Sequence, residues 1–312
     1  MNTIISRKKI GRATYLTIKE DNSNSYVTKY APPAKNSLHK LFRFCFGGSL
    51  PFQNEFRVLK RIKSLDEKRI KIPDIYNFVE NKFYECAYIE YQKIDNTNNM
   101  DHVVVKELIN TLNSINRIKR PPIWFCVKEY AFRLLESPMR TTLFLSFYTR
   151  NIPNINVLNT IRAILRLNRY RIFNREKLSP RMVHNDMGYN NIIIDANCNL
   201  YIIDWEDAIW EKQWPLVDLT DIALNVSTGE LDSYLLTEYF ASNNIKINNT
   251  NKLLHCHIMF GYIRSLLNAI NAKSLPSQNI KILVNHLNIL VKNVLSDHQS
   301  WDKIINNLNN NN

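Results

Sequence analysis

The sequence predicts an α+β fold, in which a small β-rich part comes first and a larger helical part follows. Three short segments within the first 30 residues are predicted to be strands, and in the second of them, 13–19, side chains alternate between Tyr15 and Thr17 on one face and Leu16 and Ile18 on the other. From residue 103 onward, apolar residues recur mainly at the three- and four-residue spacing of helices. Two short segments, 191–195 and 200–204, interrupt this helical part and predict a β-hairpin with a four-residue turn.

The N-terminal part is expected to span residues 1–90 and to contain one helix among its strands. The helix is predicted from Pro51 to Leu65, because apolar residues recur there on a single face. Those apolar residues are Phe52, Phe56, Leu59, Ile62 and Leu65. The strands are predicted at residues 2–7, 13–19, 25–30, 75–80 and 82–91.

The second part is expected to span residues 91–305, with an Asn-rich tail at 306–312 that frays. Its helical periodicity is clear over several long segments, which makes this part predominantly α-helical. Helices are predicted at residues 103–116, 124–135, 155–175, 217–226, 230–242, 251–272 and 277–304.

Composition narrows the class of protein. The five cysteines are scattered without any CxxC pair, which is typical of a reduced cytosolic protein. No signal peptide and no apolar run of about 18 residues is present, so the predicted location is the cytoplasm. The net charge of +13 concentrates in residues 1–71 and 150–181. This charge favours an anionic partner, and one open possibility is peripheral contact with the inner face of an anionic membrane. The alternative is that the basic side chains are simply solvated.

The predicted hairpin carries polar residues at its open end. If Asp195 pairs with Leu200, Asn191 lies opposite Asp204, with their Cβ atoms roughly 4.5–5.5 Å apart. An amide oxygen and a carboxylate at that separation can share one Mg²⁺, which prefers oxygen ligands. Asp186 precedes Asn191 by five residues and adds a second carboxylate. A carboxylate beside two magnesium ligands is the set of groups that phosphoryl transfer requires.

Three motifs in this order resemble the signature of the aminoglycoside phosphotransferase and choline kinase group. They are His-x-Asp-x4-Asn from His184, Ile-Asp-Trp-Glu from Ile203 and Pro-x-x-Asp-Leu from Pro215. Together they span residues 182–223, and the order of strands and helices before them agrees with that group. The resemblance implies a bilobal protein-kinase-like fold with a small β-rich N-terminal lobe and a larger helical C-terminal lobe.

The resemblance also implies roles for individual residues of the motifs. Asp186 is the catalytic carboxylate, and Asn191 and Asp204 hold Mg²⁺. His184 fixes the loop, and Asp218 tethers that loop from the helical lobe.

In the N-terminal part, the resemblance implies a binding site for ATP. Lys29 on the third strand matches the lysine that contacts the nucleotide phosphates, with Lys19 and Lys35 as alternatives. Glu55 matches the ion-pair partner of that lysine, and Ile203 lines the adenine pocket. Backbone groups near residues 87–90 are expected to bind adenine.

Two departures from the family pattern stand out. Many relatives have glycine where this chain has Asn185. The turn at residues 8–12 has a single glycine instead of a Gly-rich phosphate cradle. Lys8, Lys9 and Arg12 are hypothesised to supply charge in place of backbone amides.

The predicted activity is therefore that of a kinase, an ATP- and Mg²⁺-dependent phosphotransferase acting on a hydroxyl of a small molecule or glycan. Choline-like and aminoglycoside-like acceptors come from the main resemblance. A lipopolysaccharide sugar comes from a weaker likeness of residues 38–73 to the small lobe of lipopolysaccharide sugar kinases. The alternative is a pseudokinase-like module that binds a nucleotide or ligand without turnover. A nucleic-acid partner is not expected, because charge alone supports it and no recognition motif is present.

Three further features have ordinary explanations. Arg162, Arg166 and Arg169 share one face of the predicted helix 155–175, and a solvated basic face is the default there. The aromatic segment 38–46 is expected to pack on the core, with a membrane contact as the alternative. His255 and His257 stand two residues apart on a helix and do not share a face, which disfavours a metal site.

Overall fold

The computed structural model describes most of the chain. The described residues are 3–10, 14–21, 24–30, 51–65, 70–79, 83–87, 102–118, 137–173, 181–195, 197–205, 208–211, 216–245, 252–272 and 275–296. They belong to two compact units. The first consists of Met1–Ile94, Pro121–Leu134 and Tyr189–Ala208, and the second of Asp95–Arg120, Leu135–Gly188 and Ile209–Asn312. The predicted lobe boundary near residue 90 and the predicted tail at 306–312 stay predictions.

The five strands predicted in the first unit are present and form one sheet. They are β1 Thr3–Ile10, β2 Thr14–Asp21, β3 Asn24–Tyr30, β4 Ile75–Val79 and β5 Phe83–Ala87. Their order in the sheet is β1-β2-β3-β5-β4. Each neighbouring pair is antiparallel, and β1, β2 and β3 follow one another as a meander.

The one described helix of the first unit, α1, runs from Pro51 to Ser64. Its buried face includes Leu59 and Ile62 of the predicted apolar stripe, which confirms the stripe at these two positions, and also Val58, which was not predicted. Leu65 was expected to continue the stripe but is 37% exposed, because the helix has already ended at Ser64.

The first unit also holds a short hairpin of β7 Ile192–Ile194 and β8 Leu200–Ile202. The backbone carbonyl of Lys71 accepts a hydrogen bond from the N–H of Ile202 at 3.1 Å. The side-chain amine of Lys71 also donates to Asn199 in the hairpin turn. The hairpin is therefore fixed to the segment that follows α1.

The second unit is built around one almost wholly buried helix. Its helices are α2 His102–Arg117, α3 Ser137–Tyr148, α4 Val157–Phe173, α5 Val217–Ala223, α6 Ser233–Ser242, α7 Lys252–Asn271 and α8 Ser277–Leu295. Helix α7 forms the centre, packing against α3, α4, α5 and α8. A two-stranded sheet completes the unit, with β6 Arg181–Val183 antiparallel to β9 Ile209–Glu211.

Most predicted helices of the second unit are confirmed, with differences at their ends. Helix α3 was not predicted, and the helix expected at 124–135 lies outside the described residues.

In α4, Arg166 donates to the carbonyl oxygens of Leu295 and Ser296 at the C-terminal end of α8, at 2.5 and 3.1 Å. This arginine therefore satisfies orphan carbonyls of α8, whereas the sequence predicted a solvated basic face. Among the described helices, none has both the length and the apolar character needed to cross a bilayer.

Candidate functional site

The loop that contains Asp186 follows strand β6 in the second unit. Met182 and Val183 of the strand are buried, and so are the next two residues, His184 and Asn185. Asp186 is exposed. The buried strand thus leads into a loop that leaves a carboxylate accessible to solvent.

Asp218 in the first turn of α5 fixes this loop. Its two carboxylate oxygens accept the backbone N–H groups of His184 and Asn185, each at 2.8 Å. The structure therefore shows the tether that the sequence predicted. Asp218 is 1% exposed, and burial raises the pKa of its carboxyl despite the opposing effects of His184 and the two N–H donors.

Asn185 has a φ of +68°, in the left-handed region. Among residues with a Cβ atom, asparagine enters this region most readily, and glycine does so without penalty. Asparagine therefore suits this position, where the backbone conformation disfavours most other residues with a Cβ atom. Two adjacent backbone groups of Asn185 are bound, its N–H by Asp218 and its carbonyl oxygen by the guanidinium of Arg264.

Arg264 lies in the middle of α7 and is 1% exposed. Its second guanidinium nitrogen donates to Asp221 of α5 at 2.6 Å, in a buried ion pair. Ser265 donates to the other oxygen of Asp221, also at 2.6 Å. The loop before Asp186 is consequently bound by one residue of α5 directly, and by a second residue of α5 through Arg264.

The hairpin of the first unit has a different register from the predicted one. Ile192 pairs with Ile202 and Ile194 with Leu200, so the predicted pairing of Asp195 with Leu200 is wrong by one residue. The backbone N–H of Ile203 donates to the carbonyl of Asn191 at 3.0 Å. Asn191 is therefore opposite Ile203, and not opposite Asp204 as predicted.

Asp204 nevertheless follows directly at the same open end of the hairpin. Its φ of +63° turns the chain out of the strand direction, so strand alternation no longer sets where its side chain points. Asn191 is 3% exposed in a short 3₁₀ turn, Tyr189–Asn191, that precedes β7. An amide oxygen and a carboxylate oxygen at one hairpin end are donors of the kind that Mg²⁺ takes. The chemistry of this donor set fits Mg²⁺, and the assignment of the ion to Asn191 and Asp204 stays a prediction.

Glu55 of α1 contacts the residue that follows Asp204. One of its carboxylate oxygens accepts the backbone N–H of Trp205 at 3.2 Å, and Glu55 is 1% exposed. The indole N–H of Trp205 donates to the carbonyl of Ile202 at 2.9 Å, and the ring is fully buried. Glu55 and Trp205 thereby fix the backbone on the C-terminal side of Asp204.

Solved structures that are similar to this chain include several small-molecule kinases. Choline kinase LicA from Streptococcus pneumoniae has a TM-score of 0.58 at 16% identity, over 95% of both chains. A thermostable mutant of aminoglycoside phosphotransferase APH(4)-Ia has a TM-score of 0.62 at 11% identity, over 95% of this chain and 96% of that one. A Plasmodium vivax ethanolamine kinase has a TM-score of 0.57 at 12% identity, over 93% and 81%. The chain has the protein-kinase-like fold.

The predicted resemblance to aminoglycoside phosphotransferases and choline kinases is thus confirmed at the level of the fold. No protein-family model matches the sequence. No curated protein matches it significantly either.

The structure describes only some of the residues that are predicted to bind the nucleotide. The backbone of Lys29 lies in β3, paired with Leu16 and Tyr84, but its side chain lies outside the described part. Its ion pair with Glu55 stays a prediction, as does the adenine contact of the half-buried Ile203. The segments at 31–50 and 88–100, and residues 11–13 of the single-glycine turn, lie outside the description.

Sequence reasoning missed Arg264 and Asp221. A signal was present, because Arg264 is the one charged residue in the mainly apolar stretch 258–267. A buried arginine requires a counter-charge, and an acidic residue one turn after Asp218 offers it. The nearby His255 and His257 are both buried in α7, and the described residues contain no cluster of three or more His, Cys, Asp or Glu able to hold a metal.

Proposed function

We propose that this chain is an ATP- and Mg²⁺-dependent phosphotransferase that transfers the γ-phosphoryl group to a hydroxyl of a small molecule or glycan. The observation that carries the proposal is the anchoring of the loop before Asp186. Asp218 binds two successive backbone N–H groups there, while Asp186 itself stays exposed. A fixed and accessible carboxylate is what an enzyme needs to orient a hydroxyl.

Structures with the same fold support nucleotide binding. LicA has been solved with AMP, APH(2")-IIa with ATP and streptomycin, and APH(9)-Ia with ADP and spectinomycin. In this chain, Lys29 is assigned to the nucleotide phosphates, Glu55 to Lys29, and Ile203 to the adenine ring. Asn191 and Asp204 are assigned to Mg²⁺, which when bound neutralises charge on the phosphate oxygens.

Asp186 is assigned two tasks in the transfer. Its carboxylate accepts a hydrogen bond from the acceptor hydroxyl and directs the oxygen lone pair at the γ-phosphorus. As the new P–O bond forms and the bond to the ADP oxygen breaks, the hydroxyl proton passes to Asp186. Phosphoryl transfer depends mainly on placement and charge neutralisation, so this small set of residues suffices.

Three acceptor classes are carried forward, namely choline-like amino alcohols, aminoglycosides and sugars of lipopolysaccharide. The net charge of +13 favours an anionic acceptor, as on a phosphorylated glycan. We place the reaction in the cytoplasm, where ATP is available.

The test is ADP release from Mg²⁺-ATP with panels of amino alcohols, aminoglycosides and sugars. Wild-type protein is expected to release ADP with at least one acceptor, and Asp186→Asn to lower kcat by 10³-fold or more while nucleotide binding is kept. Nucleotide binding without turnover on any acceptor would point to a binding module. Absence of nucleotide binding would overturn the proposal.

A further inference from the structure

Arg264 lies outside the family motifs but binds the loop that contains Asp186. Its inferred role rests on the proposed function. The guanidinium is buried in the middle of α7, 79 residues along the chain from Asn185, whose carbonyl it binds. Asn185 immediately precedes Asp186. Arg264 therefore binds the peptide group that joins Asn185 to Asp186, the proposed catalytic residue.

The geometry of the guanidinium matters because its two terminal nitrogens have different partners. One donates to Asp221 at 2.6 Å, and the other donates to Asn185. The planar fork of arginine binds both at fixed angles, whereas a lysine ammonium is a single point with no such fork. Asp221 lies one helical turn after Asp218, so α5 holds three backbone groups of the loop. Asp218 binds the N–H groups of His184 and Asn185 directly, and Asp221 holds the carbonyl of Asn185 through Arg264.

The loop conformation makes this second attachment significant. Asn185 is in the left-handed region, which costs free energy even for asparagine and is therefore retained with the help of the surrounding contacts. Its N–H is bound by Asp218 and its carbonyl by Arg264, so both flanking peptide groups are fixed. Rotation of the peptide between Asn185 and Asp186 would redirect the carboxylate.

We propose that Arg264 is a positioning residue for the phosphoryl transfer, which fixes the Asn185–Asp186 peptide and thereby the direction of the Asp186 carboxylate. The ion pair with Asp221 orients the guanidinium for this task. Because Arg264 acts on the loop and not on the nucleotide, its loss is expected to lower kcat and to leave KM for ATP nearly unchanged.

The test compares Arg264→Lys with Ser265→Ala on the folded, full-length protein. Arg264→Lys keeps the charge beside Asp221 but loses the fork to Asn185. Ser265→Ala removes one hydrogen bond to Asp221 and leaves the Asn185 contact intact. We expect kcat of Arg264→Lys to fall roughly 10–100-fold with KM for ATP within about threefold, as for other supporting residues of active sites. Ser265→Ala is expected to keep kcat within about twofold.

A second variant guards against misfolding. Arg264→Gln combined with Asp221→Asn removes both charges together, so no unpaired buried carboxylate is left. It is expected to fold and to show the same fall in kcat as Arg264→Lys. A wild-type kcat in either Arg264 variant, or equal losses of kcat in Arg264→Lys and Ser265→Ala, would overturn the proposal.

Amide hydrogen exchange over residues 184–187 gives a readout that does not depend on turnover. We expect faster exchange there in both Arg264 variants, and unchanged exchange in Ser265→Ala. If the wild-type protein has no transferase activity, the proposed function fails. The exchange data then decide separately whether Arg264 fixes this loop, and wild-type protection in the Arg264 variants would contradict that.

Discussion

The Oδ2 atom of Asp218 accepts a hydrogen bond from the backbone N–H of His184 at 2.8 Å, across 34 residues of sequence. The other carboxylate oxygen accepts the next N–H, that of Asn185. The helix that begins at Val217 therefore determines the conformation of a loop contributed by a different part of the sequence.

Asp218→Ala is expected to destabilise the protein and to abolish turnover. Two buried N–H groups lose their acceptor, which destabilises the folded protein by about 1–3 kcal/mol for each group. The variant also removes a carboxylate that is costly to bury, and this gain offsets part of the destabilisation. We expect a net loss of about 2 kcal/mol in the free energy of unfolding, measured by urea denaturation. Asp232→Ala is the matched control. Asp232, like Asp218, is an aspartate at the start of a helix that accepts a backbone N–H, in this case that of Leu235 at 3.0 Å. This control should lose about 1 kcal/mol and keep its activity. Equal activity losses in both variants would contradict a specific role for Asp218.

Glu55 variants are expected to change the response to Mg²⁺. Glu55 accepts the N–H of Trp205, next to the proposed magnesium ligand Asp204. Loss of this bond in Glu55→Ala frees the backbone beside the ligand. We expect the Mg²⁺ concentration for half-maximal ADP release to rise roughly 10–100-fold.

Two further variants make the Glu55 measurement specific. Glu55→Gln keeps an acceptor oxygen and should fall between wild type and Glu55→Ala. Lys60→Ala, at an exposed position of the same helix, should match wild type. A wild-type Mg²⁺ requirement in Glu55→Ala would show that the contact with Trp205 does not support the magnesium site.

Gly261 permits close packing of α7 on α5. A Cβ atom at this position would lie 2.9 Å from Cγ2 of Thr220 and closer still to its hydroxyl oxygen. Gly261→Ala is therefore expected to lower the free energy of unfolding by about 1–3 kcal/mol through overpacking. Thr220→Ala/Gly261→Ala removes the two closest contacts and leaves only the Cβ of residue 220, at 3.1 Å. The double variant should therefore be more stable than the sum of the single effects predicts. Additive losses across this double-mutant cycle would show that the two residues do not limit the packing.

His257 is expected to make stability depend on pH. Burial, with a smaller contribution from Arg171, lowers the pKa of this histidine from 6.5 to about 3. The unfolded chain therefore binds the proton more readily than the folded protein does. Keeping His257 neutral in the folded protein therefore leaves the free energy of unfolding at its full value above pH 6.5. This free energy decreases as the pH falls from 6.5 toward 3. Between pH 7 and pH 5 the loss should be about 2 kcal/mol.

The measurement for His257 is the free energy of unfolding at pH 7 and at pH 5, for wild type and His257→Gln. The variant has no titrating group at this position, so its stability should fall less over the interval. Equal losses in the two proteins would contradict the assigned shift in the pKa of His257.

Sequence patterns located the hairpin but not its register. The strand β7 consists of three isoleucines, so no alternation of polar and apolar residues distinguishes one register from the next. The two proposed metal ligands were predicted from a pairing of Asn191 with Asp204 that does not occur. They still share the open end of the hairpin, because Asp204 comes directly after Ile203, which is opposite Asn191. The left-handed φ of Asp204 redirects the chain there, which alternation cannot anticipate.

Helix α3 shows the limit of apolar periodicity. Its buried positions include the polar residues Thr142 and Ser146, whereas Phe147 and Tyr148 are exposed. The hydroxyl of Ser146 donates to the carbonyl of Thr142 at 2.9 Å, which satisfies it inside the helix. Polar residues on the buried side and aromatic residues on the exposed side reverse the usual pattern, so no helix was predicted there.

The motifs identified Asp186 and Asp218 but did not identify Arg264. Asp186 and Asp218 are close in sequence to the rest of the signature. Arg264 is brought to the loop only by the packing of α7 on α5, which no local pattern specifies. Its isolated position among apolar residues marked it as unusual without identifying its partners.

The most direct test of the central proposal is ³¹P NMR of the protein with Mg²⁺-ATP and the acceptor that releases most ADP. We predict that a phosphomonoester resonance of the acceptor grows in equal amounts with ADP, and that neither grows with Asp186→Asn. Inorganic phosphate in place of the phosphomonoester, or equal product from Asp186→Asn, would contradict transfer to a hydroxyl directed by Asp186.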